Sequence, residues 1–346
     1  MQNDRQRTFF AGGNDLSSAS GVGRHDALKK HGMHVIPHFL PALAKISSLW
    51  YNVSCNDTIQ KEMPPVKCDV PRVACINDIS GFGRCSLTVA LPVLSVMGVQ
   101  ACPAPTAVLS KHTGFPSYSF RDLTDALPEY FRTWGDLQFD WIYSGFLGSE
   151  AQLSSVQAFF TAQQRANPAC RILLDPVMGD DGRMYSTYNQ AMCDAVRRLT
   201  AQADVITPNV TEACLLTDTP YHGEELHTAE AVALAEKLMT LGCGAAVITG
   251  IVRDEIICNL TYFDGKPEFS AVHRTKRIFS GTGDLFASVL CGGLAKGRPL
   301  HEAVLTAERF LSDVTRYTLS QNTDPNEGVL FEPLLRQLAE ERYETA

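Results

Sequence analysis

The segment Ser280-Gly281-Thr282-Gly283-Asp284 could bind an anion and remove a proton, and it directly precedes an apolar stretch typical of a helix. Because glycine lacks a Cβ atom, consecutive backbone N–H groups here can face one ligand. They would do so at a helix N-terminus, where unpaired donors and the helix dipole favour an anion. A phosphoryl group in transfer is such an anion, and Asp284 beside it could accept the proton of an attacking hydroxyl. The alternative is that Asp284 only caps a helix after a glycine turn.

Two further segments place carboxylates after short apolar runs. Asp175 directly follows the run 171–174, where it could be a hard oxygen ligand for magnesium or end a strand in a simple turn. In the segment 207–212, Asn209 and Glu212 have the spacing of a helix capping box. In the functional alternative, Asn209 lies near a triphosphate and Glu212 orders magnesium-bound water. Each segment alone favours the structural interpretation, whereas the three segments together favour a site.

Two other motifs are weaker. The turn Gly81-Phe82-Gly83 lacks the third glycine of a dinucleotide-binding fingerprint, and no acidic residue follows at the expected distance, so nicotinamide binding is disfavoured. The segment 111–114 is either a polar loop or presents His112 and Thr113 to a substrate ring.

The elements that must position these residues follow from the apolar pattern. Strands are predicted over 73–76, 101–109, 141–143, 171–174, 205–207 and 245–249, with a hairpin of 256–263 and 270–273 around Asp264-Gly265. Helices are predicted over 86–97, 121–134, 151–165, 191–201, 228–241, with Thr228 as N-cap, and over 285–295 and 301–318. This alternation predicts a mainly parallel sheet covered on both faces, with ligands beyond the carboxyl ends of the strands.

Composition excludes several classes of protein. The 346 residues are 45% hydrophobic and 20% charged, as in globular proteins, and the net charge of −8 argues against nucleic-acid binding. The 11 cysteines are scattered without a Cys-x-x-Cys pair, which predicts reduced thiols rather than a disulfide framework or structural zinc. No apolar run reaches the roughly 20 residues of a membrane-spanning helix, and the start lacks a signal-peptide pattern, so we expect a cytoplasmic protein without a membrane partner.

Residues 72 to about 318 resemble the pyridoxal/pyridoxamine (vitamin B6) kinases of the ribokinase-like superfamily. The resemblance rests on segments in the family's order: 79–83, 112–114, 175–180, 207–209 with Glu212, and 281–284. It implies a three-layer α/β/α sandwich with a mainly parallel central sheet. It also implies ATP-dependent phosphorylation of the 5′-hydroxymethyl group of pyridoxal, pyridoxamine or pyridoxine. The family usually needs Mg²⁺, often a monovalent cation such as K⁺, and forms homodimers.

The resemblance also implies roles for individual residues. The reaction centre comprises a general base and an anion hole: Asp284, and the amides of Gly281, Thr282 and Gly283. Contacts to ATP are implied for Asp175, Thr207, Asn209, Thr249 and Tyr185. Magnesium is implied to lie near Asp175 and Glu212. The polar edge of the substrate ring is implied to meet Asp78 or Ser80, with His112 and Thr113. Relatives often have serine near the position of Asp78, so this chain departs from the family there.

Two rival functions remain open at this stage. A kinase of the same superfamily could act on hydroxymethylpyrimidine or a sugar, although sugar kinases usually carry Gly-Ala-Gly-Asp where this chain has Gly-Thr-Gly-Asp. A non-catalytic nucleotide-binding protein would be expected to have lost the base, whereas Asp284 is present.

Residues 1–70 differ from the kinase domain that we expect over 71–346. They contain loop-like Gly, Ser and Asn clusters and end near Met63-Pro64-Pro65, which is typical of a linker. Three interpretations are open: a flexible extension, a docking arm, or sequence upstream of a true start near Met63.

A chain beginning at Met63 is expected to fold and to keep the activity of the full chain, because the predicted core elements begin after residue 70. Thermal unfolding followed by circular dichroism, together with a kinase assay, checks this. An insoluble or inactive product would show that the extension belongs to the folded structure.

Overall fold

The computed structural model describes residues 70–275 and 277–339. The extension and linker predicted over residues 1–70 lie outside the described residues, except for Val70. All structural statements below concern the described part of the chain.

A nine-stranded sheet forms the centre of the fold. Its strands are β1 (Arg72–Ser80), β2 (Gln100–Leu109), β3 (Phe120–Asp122), β4 (Trp141–Ser144), β5 (Arg171–Leu174), β8 (Val205–Ile206), β9 (Ala245–Arg253), β10 (Ile256–Phe263) and β11 (Lys266–His273). Their order across the sheet is β11-β10-β9-β8-β5-β4-β1-β2-β3. The six neighbouring strands from β9 to β2 run parallel, whereas β3 pairs antiparallel with β2, β10 with β9, and β11 with β10. A separate small hairpin consists of β6 (Gly179–Asp180) and β7 (Arg183–Met184).

Helices cover both faces of the sheet. They are α1 (Leu87–Val96), α2 (Leu127–Trp134), α3 (Glu150–Ala166), α4 (Gln190–Thr200), α5 (Val210–Leu216), α6 (Thr228–Met239), α7 (Thr282–Ala295) and α8 (Leu300–Gln321), followed by short 3₁₀ turns at Pro325–Glu327 and Glu332–Gln337. One buried cluster packs α2–α6 on the sheet and the other packs α1, α7 and α8.

Side chains of β1 alternate between these two clusters, because successive residues of a strand point to opposite faces. Ala74 and Ile76 belong to the first cluster, Val73 and Cys75 to the second. The predicted three-layer α/β/α sandwich with a mainly parallel sheet is therefore confirmed.

The predicted hairpin around Asp264-Gly265 is also confirmed, with a second strand that begins earlier than predicted, at Lys266. Both turn residues have positive φ, 51° and 71°, which matches the twist of the paired strands.

Two local predictions are wrong. The helix predicted over 121–134 exists only over Leu127–Trp134. Residues 120–122 pair with β2 as a strand, and the Asp122 carboxylate then accepts a hydrogen bond from the Thr124 N–H in a turn before the helix. The N-cap of α6 is His227 rather than Thr228, since the Glu230 carboxylate accepts the His227 N–H at 2.8 Å in a capping box.

Other expectations can be compared with the described residues. Nine of the cysteines lie in this part of the chain and all nine are free, as predicted.

Within residues 70–275 and 277–339, no helix has the length and apolar character that crossing a membrane requires.

Candidate active site

The start of α7 is fixed by a close backbone approach at Gly281. Its φ of 76° is left-handed, and a Cβ atom there would lie 1.8 Å from the Arg84 carbonyl oxygen. Any side chain at this position would therefore push the loop between β1 and α1 away from α7. A Cβ atom on Gly283, by contrast, would point into open space, so the first turn of α7 is open to solvent on that side.

Asp284 lies in this first turn and is partly exposed. Loss of surrounding water raises the pKa of its carboxyl group to about 6, and the nearby charge of Asp78 also acts to raise it. The backbone N–H of Ser86 and the amide of Asn77 oppose this rise by hydrogen bonding to the carboxylate. A carboxylate with a pKa near 6 can accept a proton at neutral pH and return it readily.

Asn77 connects the ends of two strands to Asp284. Its Oδ1 accepts hydrogen bonds from the backbone N–H groups of Asp78 and Phe146, each at 2.9 Å, and its Nδ2 lies 3.5 Å from Asp284 Oδ1. Gly145 makes room for it, because a Cβ atom there would lie 2.3 Å from Asn77 Nδ2. Sequence analysis did not identify Asn77, although its position directly after the apolar run 73–76 was a signal.

Asp78 is buried beside Asn77 and receives two hydroxyl groups. Ser86 Oγ donates to Asp78 Oδ1 at 2.5 Å, and Ser80 Oγ donates to Oδ2 at 3.1 Å. Burial raises the pKa of Asp78, whereas the two serine hydroxyls lower it. The structure therefore brings the predicted substrate residues Asp78 and Ser80 close to the predicted base, and it adds Ser86, which the sequence analysis had only placed at a helix start.

Asp175 directly follows β5 and is buried. Thr207 Oγ1 donates to its Oδ1 at 3.1 Å. Burial raises the pKa of Asp175 to about 7, with a further contribution from the charge of Asp284 and an opposing one from Thr207. The two carboxylates are thus close enough to repel each other.

Asn209 and Glu212 form the capping box that their spacing predicted. Glu212 N–H donates to Asn209 Oδ1 at 2.8 Å, and Asn209 N–H donates to Glu212 Oε2 at 2.9 Å. The other oxygen of Glu212 accepts the Met178 N–H at 3.1 Å. Burial first, and the charge of Asp175 second, raise the pKa of Glu212 well above its usual range. Capping is confirmed, and the roles toward magnesium and triphosphate stay predictions.

The remaining predicted residues have different environments. The two ring nitrogens of His112 contact backbone: Nε2 lies 2.6 Å from the Asn326 carbonyl oxygen and Nδ1 accepts the Gly114 N–H at 3.0 Å. This pattern fits a neutral ring protonated on Nε2. Thr113 is exposed and Tyr185 is half-exposed. Thr249 N–H donates to the Pro208 carbonyl at 2.9 Å, and Thr249 forms an isolated parallel bridge with Asn209, which follows β8. Both ring nitrogens of His112 are therefore engaged by backbone groups of its loop and of the segment after α8, and its role toward a substrate ring stays a prediction.

The phosphomethylpyrimidine kinase family model matches residues 90–328. The chain belongs to this family. The chain is 29% identical to pyridoxal kinase of Sus scrofa over 220 residues, which cover 57% of this chain and 66% of the pig enzyme. The pig comparison thus spans slightly less than two thirds of that enzyme.

Solved structures give the same result. A Bacteroides thetaiotaomicron protein provisionally assigned as a phosphomethylpyrimidine kinase has a TM-score of 0.77 and 36% identity, covering 81% of this chain and 98% of that one. A second crystal form, with pyridoxal, has a TM-score of 0.74 and 38% identity, covering 78% and 96%. Pyridoxal kinase of Lactobacillus plantarum has a TM-score of 0.71 and 32% identity, covering 78% and 96%. The predicted relationship to ribokinase-like vitamin B6 kinases is confirmed.

Replacing Gly281 with alanine is expected to reduce turnover by at least about 100-fold, since displaced N–H donors at an anion hole typically cost that much. Steady-state kinase assays measure this. Gly297→Ala is the matched control, because Gly297 has a similar φ of 78° but a Cβ atom there would meet no other atom within 4 Å. Equal turnover in the two variants would contradict the interpretation that the close approach of Gly281 to the Arg84 backbone positions the N–H donors of the proposed anion hole.

Proposed function

We propose that this protein transfers the terminal phosphoryl group of ATP to the 5′-hydroxymethyl group of pyridoxal, pyridoxamine or pyridoxine, giving the 5′-phosphate. The observation that carries the proposal is the Asp284 carboxylate in the first turn of α7, beside the amides of Gly281, Thr282 and Gly283. The relatives named as pyridoxal kinases and the similar structure that contains pyridoxal support the choice of substrate.

In this mechanism Asp284 accepts the proton of the substrate hydroxyl as its oxygen attacks phosphorus. The backbone N–H groups at the start of α7 hydrogen-bond the oxygens of the phosphoryl group during transfer, where negative charge must be stabilised. Asn77 and Ser86 orient Asp284, and Asp78 with Ser80 meets the polar edge of the ring. Thr113 lies in the same substrate loop as His112, and His112 holds that loop through its backbone contacts.

ATP is proposed to lie along Asp175, Thr207, Asn209 and Thr249, with Tyr185 covering it. The buried carboxylates of Asp175 and Glu212 fit Mg²⁺, which prefers oxygen ligands and keeps water and phosphate oxygens alongside one or two carboxylates. Asp175 and Glu212 would hold it, and it would neutralise phosphate charge. No group of three or more His, Cys, Asp or Glu side chains in the described residues is arranged for a metal.

Further parts of the proposal follow the family resemblance. They are a requirement for a monovalent cation such as K⁺, a homodimer, a cytoplasmic location, and a kinase domain over residues 71–346 preceded by an extension over 1–70. The free thiols of the described cysteines support a reducing compartment.

A second candidate is phosphorylation of hydroxymethylpyrimidine or its monophosphate, because the matching family model is described as phosphomethylpyrimidine kinase. Both substrate types present a hydroxymethyl group on a nitrogen heterocycle, so the same base and anion hole would serve either.

An assay of ADP release separates the candidates. We expect kcat/KM for pyridoxal, pyridoxamine or pyridoxine to exceed that for hydroxymethylpyrimidine at least tenfold, with no turnover of ribose and none without Mg²⁺. A preference for hydroxymethylpyrimidine would support the second candidate. Preference for ribose, or no turnover of any heterocycle, would contradict both.

Asp284→Asn is expected to lower kcat by at least about 10²–10⁴-fold while ATP binding persists, because only the base is lost.

In the unchanged protein, kcat/KM should rise with pH up to about 6 and then level off, since Asp284 acts as the carboxylate and its pKa is raised to about 6. Titration calorimetry with ATP and pH-dependent kinetics measure these effects.

Asp136→Asn provides the control, because Asp136 is exposed in the turn that follows α2. Undiminished turnover in Asp284→Asn, or a flat pH profile down to pH 4.5, would contradict the assignment of Asp284 as the base.

A further inference from the structure

Ser86 follows the loop that packs against the start of α7, where a Cβ atom on Gly281 would lie 1.8 Å from the Arg84 carbonyl oxygen and 3.5 Å from the Cys85 Cα atom. Its hydroxyl donates to Asp78 Oδ1 at 2.5 Å, and its backbone N–H acts to lower the pKa of the Asp284 carboxyl group. Ser86 is buried, with 7% of its surface exposed. One residue therefore acts on both the group proposed to meet the substrate ring and the proposed base.

The backbone of Ser86 is strained. Its φ of 52° and ψ of −132° lie in a region that residues other than glycine rarely adopt. Six described residues other than glycine have positive φ, and the other five are exposed Asp or Asn, which tolerate this conformation in turns. A buried serine in this conformation resembles the strained residues that folds retain at functional sites.

Helix capping does not explain Ser86. It occupies the N-cap of α1, and a serine there ordinarily accepts a hydrogen bond from a backbone N–H of the first turn. The Ser86 side chain makes no such bond, and its hydroxyl is directed at Asp78. Its carbonyl accepts the N–H groups of Val89 and Ala90 at 3.1 and 3.0 Å, which anchors the residue to α1.

We propose that Ser86 is a positioning residue that sets the spacing between the ring-binding carboxylate Asp78 and the base Asp284. Its side chain holds one carboxylate and its N–H holds the other, and α1 holds the peptide that carries both. A substrate ring bound by Asp78 thereby presents its hydroxymethyl group to Asp284. The inference rests on the proposed function, since it assigns Asp78 and Asp284 to the same substrate.

The test compares Ser86→Gly, Ser86→Ala and Ser80→Ala, with Thr88→Ala as the control. Thr88 lies in the first turn of α1 and its hydroxyl contacts the backbone carbonyls of Cys85 and Gly83, away from both carboxylates. Ser80 Oγ donates to Asp78 Oδ2, which is the carboxylate oxygen that Ser86 Oγ does not contact. KM for pyridoxal, KM for ATP, kcat and the melting temperature are measured for each variant.

We expect Ser86→Gly and Ser86→Ala to lower kcat about 10–100-fold, as small displacements of reacting groups do, and to raise KM for pyridoxal. KM for ATP should stay within about twofold of the original value. Ser80→Ala should raise KM for pyridoxal with little change in kcat, and Thr88→Ala should leave both unchanged. Because glycine tolerates the backbone conformation, Ser86→Gly should melt no lower than the original protein.

Three results would overturn the role of Ser86. The first is an unchanged kcat in Ser86→Gly. The second is a rise in KM for pyridoxal without a fall in kcat in that variant, as expected for Ser80→Ala. The third is a loss of activity in Ser86→Gly that accompanies a lowered melting temperature. If Ser86→Ala does not fold, Ser86→Gly decides the question. If the original protein phosphorylates no vitamin B6 form, the proposed function fails first and the role of Ser86 falls with it.

Discussion

The close packing of the Arg84 backbone against Gly281 holds the two halves of the site together. The same residue contacts the segment after α8: its N–H donates to the Glu327 carbonyl at 3.2 Å, and its guanidinium pairs with Glu332 at 2.6 Å. A Cβ atom on Gly328 would also lie 2.9 Å from the Arg84 carbonyl oxygen. The loop after β1, the start of α7 and the C-terminal segment therefore meet at one point, and the positions of the carboxylates on either side depend on it.

Burial of several acidic groups at one edge of the sheet gives the site its electrostatic character. Removal from water raises the pKa of Asp78, Asp175, Glu212 and Asp284. Each is partly stabilised by hydrogen bonds from neighbouring hydroxyl or N–H groups. Under the proposed function, the negative ATP would approach this edge with a divalent cation near Asp175 and amide donors at the start of α7.

The sequence predicted the parts of the fold that depend on local patterns. The alternation of strands and helices, the glycine motif before α7 and the capping box of α5 all involve residues close together in the chain. Contacts between distant residues were not predictable from one sequence: Asn77 and Asp284 are 207 positions apart, and His112 and Asn326 are 214 apart. The wrong helix assignment over 121–126 has the same cause, since pairing with β2 overrides the apolar spacing.

The most direct test of the account is a crystal structure with a non-hydrolysable ATP analogue, Mg²⁺ and pyridoxal. The account predicts the 5′-hydroxyl oxygen of pyridoxal within about 2.6–3.2 Å of an Asp284 carboxylate oxygen, the range that proton transfer requires. It also predicts the terminal phosphate at the amides of Gly281–Gly283. A substrate hydroxyl bound against another side chain, with Asp284 directed away from it, would contradict the account.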